Sequence, residues 1–379
     1  MNLDNERTFH LRNRSNGAPV VVITGASAGI GRAVAQVFAR QSWRVALLAR
    51  DADRLAEAQR DIESAGGQAL TVPVDVADAG AVFAAADHVA AKWGGIDVWV
   101  NNAMVTVYSP VHQMSPEEFR RVTEVTYLGQ VNGTLAALRH MRPHDAGTIV
   151  QIGSALAYRS IPLQSAYCAA KSAVRGFTDS LRSELIHEGS AIRLTMVQLP
   201  AVNTPQFDWA RSRLPRKLQP VPPIHQPEPV ADAIYQAALE APREFWVGTS
   251  SMEAILGQAV APEWLDHMMA ESAWKGQMTD DPATSDRPDN LFEPVAGSFD
   301  AHGRFDDRSR TQVVSASSGM VRLGILFTAL GLGAGALLGA GMLGRYSARR
   351  QSRPAPGLGR GPSRIGAFDG RRRPEPRLG

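Results

Sequence analysis

The chain has 379 residues, 44% of them hydrophobic, enough for one large domain with additions or two ordinary ones. Its formal net charge of +3 is unevenly spread: residues 345–379 carry ten arginines against Asp369 and Glu375, which leaves residues 1–344 with 30 basic and 35 acidic side chains. A mildly acidic body argues against nucleic-acid binding by the folded part, and a single cysteine, Cys168, excludes an intrachain disulfide.

Residues 1–18 are polar with both signs of charge and lack the apolar stretch of a secretory signal, so a flexible extension in a cytoplasmic protein is expected. From residue 20 onward short β-branched runs alternate with Ala-rich amphipathic stretches. The predicted strands are 20–24, 44–49, 69–74, 97–101, 148–152 and 193–199, with a last one at 245–248. The predicted helices are 32–41, 53–65, 82–93, 116–141, 166–188 and 230–240. Near-continuous apolar strands alternating with helices predict an α/β fold, a doubly wound parallel sheet with ligands at the carboxyl ends of its strands. The stretch 199–228 holds seven prolines and is expected to be an irregular loop over a site.

Residues 252–275 look helical and would complete a single catalytic domain over 19–275. Residues 276–320, rich in Asp, Ser, Pro and Gly, are expected to be a linker. A membrane helix is expected over 321–344: the 22 residues 323–344 carry no charge between Arg322 and Arg345. As a helix they would extend about 33 Å, against a bilayer core of about 30 Å. Gly331, Gly335 and Gly339 line one face of that helix and would admit close approach of another. The basic tail 345–379 is expected to be disordered. A single crossing would export that tail, against the positive-inside tendency, whereas a re-entrant insertion would not.

The first predicted strand runs into Thr24-Gly25-Ala26-Ser27-Ala28-Gly29-Ile30-Gly31 and then a helix. Glycines there permit a tight turn and bring backbone N–H groups and a helix N-terminus toward a pyrophosphate. The second strand ends at Arg50, where an acidic residue would favour NAD by accepting from ribose hydroxyls; an arginine, helped by Ser27, instead suits the 2′-phosphate of NADP. The bland alternative is a solvated arginine opening the next helix. Tyr167 and Lys171 lie four apart and share a helix face. An ammonium beside a phenol stabilises the phenolate and brings its pKa toward neutrality. Ser154, ending the fifth strand, can donate to a carbonyl oxygen. His140 and His144 have ligand spacing, but Pro143 interrupts the helix and no third ligand is evident, so no metal is expected. Cys168 is read as a packing residue.

The glycine loop, Asn101-Asn102-Ala103, Ser154 and Tyr167-x3-Lys171, in that order, resemble the short-chain dehydrogenase/reductase family over roughly 19–248. The resemblance implies a Rossmann-like fold and an oxidoreductase. It moves a hydride between NADP(H), with NAD(H) less favoured, and a carbonyl or secondary alcohol. It implies Tyr167 as general acid or base, Lys171 on the cofactor ribose and Ser154 on the substrate oxygen. It further places Asp75 and Val76 at the adenine, and Asn102, Ala103, Pro200 and Thr204 along the dinucleotide. Two departures stand out: Met104 replaces the family's glycine near the nicotinamide pocket, and Thr126 replaces the asparagine that supports proton relay to the lysine. The expected partners are a small-molecule substrate, lipophilic if the anchor bears on it, a lipid bilayer through 323–344, and further copies of the chain. The competing readings are a membrane-tethered dinucleotide-binding scaffold or sensor and, third, a nucleotide-sugar epimerase.

Overall fold

The structure, a computed structural model, describes residues 17–284 and 287–326. It has two units, Met1–Leu323 and Gly324–Gly379, and the first contains the α/β fold.

Alternate residues of β1 (Val20–Thr24) serve two cores. Val21 and Ile23 pack with α1 (Gly29–Arg40) and α2 (Ala52–Ser64), whereas Val20 and Val22 face α3 (Ala79–Trp93) on the other side. β2 (Arg44–Ala49) repeats the pattern, Val45 and Leu47 against Ala46 and Leu48. A strand buried on both faces must be apolar at successive positions, so these runs show no polar alternation. β3 (Gln68–Pro73), β4 (Val98–Asn101), a short β5 (Val107–Tyr108), α4 (Pro116–Thr123), α5 (Gly129–Met141), β6 (Thr148–Ile152), α6 (Ser165–His187) and β7 (Arg193–Gln198) follow. The central sheet runs β3-β2-β1-β4-β6-β7-β12, all parallel, where β12 is Glu244–Val247 after α8 (Pro227–Glu240). Strand order reverses between β1 and β4, which opens a crevice at their carboxyl ends.

Several expectations change. The helix expected over 116–141 is interrupted by a π-helical turn, Glu124–Leu128, between α4 and α5. The proline-rich stretch is not irregular. Its prolines cut it into β8 (Ala201–Val202), α7 (Gln206–Trp209), β9 (Arg211–Ser212), β10 (Arg216–Leu218) and β11 (Ile224–His225). It is anchored by Arg211 and Arg213, which donate at 3.1 and 2.8 Å to the buried Glu118 carboxylate. The helix expected over 252–275 divides at Pro262 into α9 (Thr249–Val260) and α10 (Pro262–Met268), followed by a π-helical turn and α11 (Trp274–Gly276).

The largest correction concerns the supposed linker. β13 (Met278–Pro282) pairs with β10, β14 (Ser309–Arg310) with β11, and β15 (Ser315–Ser317) adds an antiparallel edge to the central sheet beside β12. Leu291, Ala301 and Phe305 are 0%, 2% and 4% exposed. Its buried apolar side chains, Leu291, Val295, Ala301 and Phe305, are separated along the sequence, so polar composition concealed a packed segment.

No helix among the described residues is long and apolar enough to cross a membrane. The expected membrane segment, beyond Leu326, and the basic tail lie outside the described residues, as does nearly all of the N-terminal extension. No metal-holding cluster of His, Cys, Asp and Glu occurs among the described residues, and His140 instead meets Asp87 at 2.9 Å.

Phe305 packs edge-on against Phe207, centroids 6.0 Å apart, within a small core under the proline-rich stretch. Phe305→Ala is expected to cost about 3 kcal/mol of stability, seen as a lower urea midpoint. An unchanged midpoint would return the segment to the status of a linker; by the same packing, truncation after Asp300 should destabilise the catalytic domain.

Candidate active site

The turn after β1 is held against the end of β4. The Thr24 hydroxyl accepts from the backbone N–H of Asn102 (2.9 Å) and Ala103 (3.0 Å), while the Asn102 amide donates to the carbonyls of Thr24 (2.9 Å) and Gly25 (3.3 Å). Asn102 therefore braces the loop. Gly25 has φ +68°, and a Cβ on Gly31 would lie 2.2 Å from the Gly25 carbonyl oxygen, so neither position accepts a side chain.

The loop has the chemistry to hold a dinucleotide. Side chains of Asp51, Asp78 and Ser115 cap α2, α3 and α4, whereas α1 starts at Ala28 with no side-chain cap. The Asp300 carbonyl takes the Gly29 N–H at 3.0 Å, and the remaining N–H groups of the first turn, with the positive dipole end, are presented to an anion. A cavity of about 170 Å³ adjoins it, lined by Gly25, Ser27, Gly29, Ile30, Arg50 and Val76 among others. Ala103, Asp75 and Asn102 also border this cavity. Asp75, expected at the adenine edge, is committed to Arg121 by an ion pair and to the N–H of Ala77 at 3.0 Å. Arg50 is tied to the carbonyls of Asn290 (2.6 Å) and Phe292 (2.7 Å), partners the sequence did not suggest.

A second cavity of about 490 Å³ shares Ile30, Asn102, Met104, Thr204 and Gln206 with the first. Ser154, Tyr167, Lys171 and Pro200 open onto it. β6 leads to Ser154 beyond its carboxyl end and the first turn of α6 delivers Tyr167, so residues thirteen apart in sequence converge on one cavity. Lys171 is one turn on; its Nζ donates to the Ile152 carbonyl at 2.6 Å and lies 5.7 Å from the Tyr167 ring centroid. Met104, the departure from the family pattern, borders both cavities.

Burial sets the electrostatics. It pushes the Tyr167 phenol above its usual range, with the Ser154 hydrogen bond pulling back, and pushes Lys171 down to about 7. The expected lowering of the phenol by a neighbouring ammonium is thus not what governs this arrangement, because both groups are desolvated and Lys171 is directed to a carbonyl. Thr126 stands where the family has its relay asparagine. Its hydroxyl donates to the Val105 carbonyl at 2.8 Å and accepts from the Val105 N–H at 3.1 Å, pinning the π-helical turn to the chain beyond β4.

Residues 19–214 match the short chain dehydrogenase family model. The chain belongs to the short-chain dehydrogenase family. It is 30% identical over 285 residues to the uncharacterized oxidoreductase YxnA of Bacillus subtilis (strain 168), covering 74% of this chain and 80% of that one. It is 31% identical over 246 residues to a fatty acyl-CoA reductase of Acinetobacter baylyi, covering 64% and 80%. Among solved structures, an alcohol dehydrogenase from the archaeon Thermococcus sibiricus complexed with 5-hydroxy-NADP aligns with TM-score 0.52 at 28% identity, over 61% of this chain and 96% of that one. The family assignment agrees with the doubly wound sheet and with an oxidoreductase.

Sequence reasoning missed several lining residues of this short-chain dehydrogenase. Gln206 and Phe207 lie in the proline-rich stretch, and Gln164 and Gln277 pair at 2.8 Å in the wall of the larger cavity. Isolated glutamines carry no spacing signal.

Tyr167→Phe removes only the phenolic proton and is expected to lower kcat by at least about 100-fold while leaving cofactor binding within a few-fold; activity near wild type would remove Tyr167 from the chemistry. Lys171 gives a separate pH signature. Its folded pKa of about 7 lies below the ordinary 10.5, so between these values the unfolded chain holds more protons and stability rises with pH. The rise ends near the ordinary tyrosine value of 10, above which the unfolded phenol ionises before the buried Tyr167. Lys171→Met should flatten the increase in urea midpoint from pH about 7 to about 9.5; an unaltered slope contradicts it.

Proposed function

We propose that the protein is an NADP(H)-dependent oxidoreductase interconverting a lipophilic carbonyl compound and its alcohol. The observation that carries this is the larger cavity: Ser154 and Tyr167 sit at a space of about 490 Å³ whose walls include Leu156, Ile161, Phe207, Val221, Ala254 and Met269. A polar reacting pair in a mainly apolar chamber suits a substrate with one oxygen function and a hydrocarbon body. The fatty acyl-CoA reductase relative and the 5-hydroxy-NADP in the solved neighbour support the substrate and cofactor classes. No observation favours the scaffold or epimerase alternatives.

In this reading the loop Thr24–Gly31, with Pro200 and Thr204, holds the dinucleotide, which supplies or accepts the hydride. The chain's own residues manage the proton and the oxygen. Ser154 donates to the substrate oxygen and fixes it beside the Tyr167 hydroxyl. Tyr167 gives up its proton as the oxygen becomes a hydroxyl, or takes one in the reverse direction. Lys171, held by the Ile152 carbonyl, places a partly protonated amine one turn away, positioned to return a proton to Tyr167.

With NADPH, kcat/KM across a series of straight-chain aldehydes and ketones should rise about two- to fourfold per added methylene until the chamber is filled, since each buried methylene is worth about 0.8 kcal/mol. A flat profile, or preference for small charged substrates, would overturn the lipophilic assignment, and faster turnover with NADH the cofactor assignment. Membrane attachment rests on the sequence of 323–344 alone. The full-length chain is expected to sediment with membranes and resist carbonate extraction; recovery in the supernatant contradicts attachment.

A further inference from the structure

We propose that residues 289–300 form a strap that holds Arg50 in place over the dinucleotide cleft and so sets the preference for a 2′-phosphorylated cofactor. The proposal rests on the NADP(H) reading above. Arg50 spends one N–H on the Asn290 carbonyl at 2.6 Å and another on the Phe292 carbonyl at 2.7 Å. A planar guanidinium bonded to two carbonyls two residues apart has its plane fixed, and it keeps further N–H groups for a phosphate. The strap does not fill the cleft: Asn290 and Pro294 border the cavity of about 170 Å³ together with Arg50 and Ser27.

Both ends of the strap are anchored outside the Arg50 contact. At one end Asp289 accepts from Arg211 Nε at 2.8 Å, Leu291 is fully buried, and the Leu291 carbonyl accepts from Arg121 at 3.1 Å. At the other, Ser298 donates to Glu57 at 2.9 Å, Phe299 stacks edge-on against Trp209 at 4.6 Å, and the Phe299 carbonyl accepts from Arg32 at 2.8 Å. The Asp300 carbonyl takes the Gly29 N–H at 3.0 Å, which brings the strap to the start of α1 itself. Fixed ends with Arg50-binding carbonyls between them make a positioning device.

A second arginine belongs to the same arrangement. Arg54 is 6% exposed and borders the same cavity; one nitrogen bonds Asp51 at 2.8 Å, while Nε and Nη1 have no partner. Its guanidinium lies 5.1 Å from the Trp209 ring centroid and 5.4 Å from that of Phe299. A cation held over two aromatic rings at the border of that cavity adds fixed positive charge beside Arg50. Phe299 thus ties Arg54 to the strap that orients Arg50.

The test compares NADPH and NADH binding by calorimetry in the full chain, as wild type and as Arg50→Ala, Ser298→Ala and Phe299→Ala. Loosening the strap is expected to weaken NADPH by roughly fivefold or more and NADH by less than about twofold, because only the charge-assisted bonds to the extra phosphate depend on it. Equal weakening of both cofactors, or of neither, makes the strap a structural cover and overturns the proposal. If Arg50→Ala also leaves the ratio unchanged, the 2′-phosphate reading fails as well, so the two failures are distinguishable. In wild type, saturating NADPH should slow hydrogen exchange over 289–300 more than saturating NADH does; equal protection overturns the proposal without any variant.

Discussion

A sheet covered by helices on both faces has few places left for polar chemistry, and this constraint organises the molecule. Val20 through Ile23 are completely buried, with successive residues in opposite cores, so β1 can offer function only where it ends. The same holds for β4 and β6. Thr24, Asn102 and Ser154 stand at or just beyond the ends of these runs; the first two brace the glycine loop, and Ser154 opens onto the larger cavity. The switch in strand order between β1 and β4 then separates two helices and leaves the crevice that both cavities occupy. Burial on two faces thus produces the fold and the location of the site together.

Desolvation also shapes the reactivity of the site. Lys171 is 1% exposed, and burial alone brings its pKa to about 7. A lysine at that value is nearly balanced between amine and ammonium at neutral pH, which suits a group that passes protons rather than one that supplies a fixed charge. Its bond to the Ile152 carbonyl satisfies one donor at the end of the strand that delivers Ser154. The tyrosine is opposed in sense: burial keeps its proton on. A phenol that resists ionisation beside an amine that readily loses its proton is a pair whose proton affinities diverge, and the sequence spacing alone could not reveal that balance.

The legible parts of the sequence were those whose signal is periodic or ordered. Strands at 20–24, 44–49 and 148–152 were legible because double burial makes them largely apolar, and the observed β1, β2 and β6 have the same bounds. Ser154, Tyr167 and Lys171 were legible because strand end and helix start bring them to one cavity. The π-helical turn at Glu124–Leu128 was hidden, since it inserts one residue without disturbing an amphipathic pattern enough to notice. The strands of the proline-rich stretch were hidden because two or three residues cannot display a period. Thr126 was not legible for a different reason: it stands where the family has its relay asparagine, and sequence could not show that both of its hydroxyl bonds go to Val105.

The segment after residue 276 shows why composition is a poor guide to order. Most of it forms no ladder, so its backbone carbonyls need other donors. Arginines of the α/β body supply several of them: Arg32 to Phe299, Arg50 to Asn290 and Phe292, Arg121 to Leu291. In the other direction Arg287 donates to the carbonyls of Phe207 and Ala210, and Arg304 to that of Leu218. Guanidinium groups can do this because each offers five N–H groups on a long stem, reaching a carbonyl without requiring a regular partner strand. Three of these arginines, Arg32, Arg50 and Arg121, stand around the glycine loop and the end of β2. The charges that order this segment are therefore drawn from around the smaller cavity, and completing the fold and shaping that cavity are one physical event.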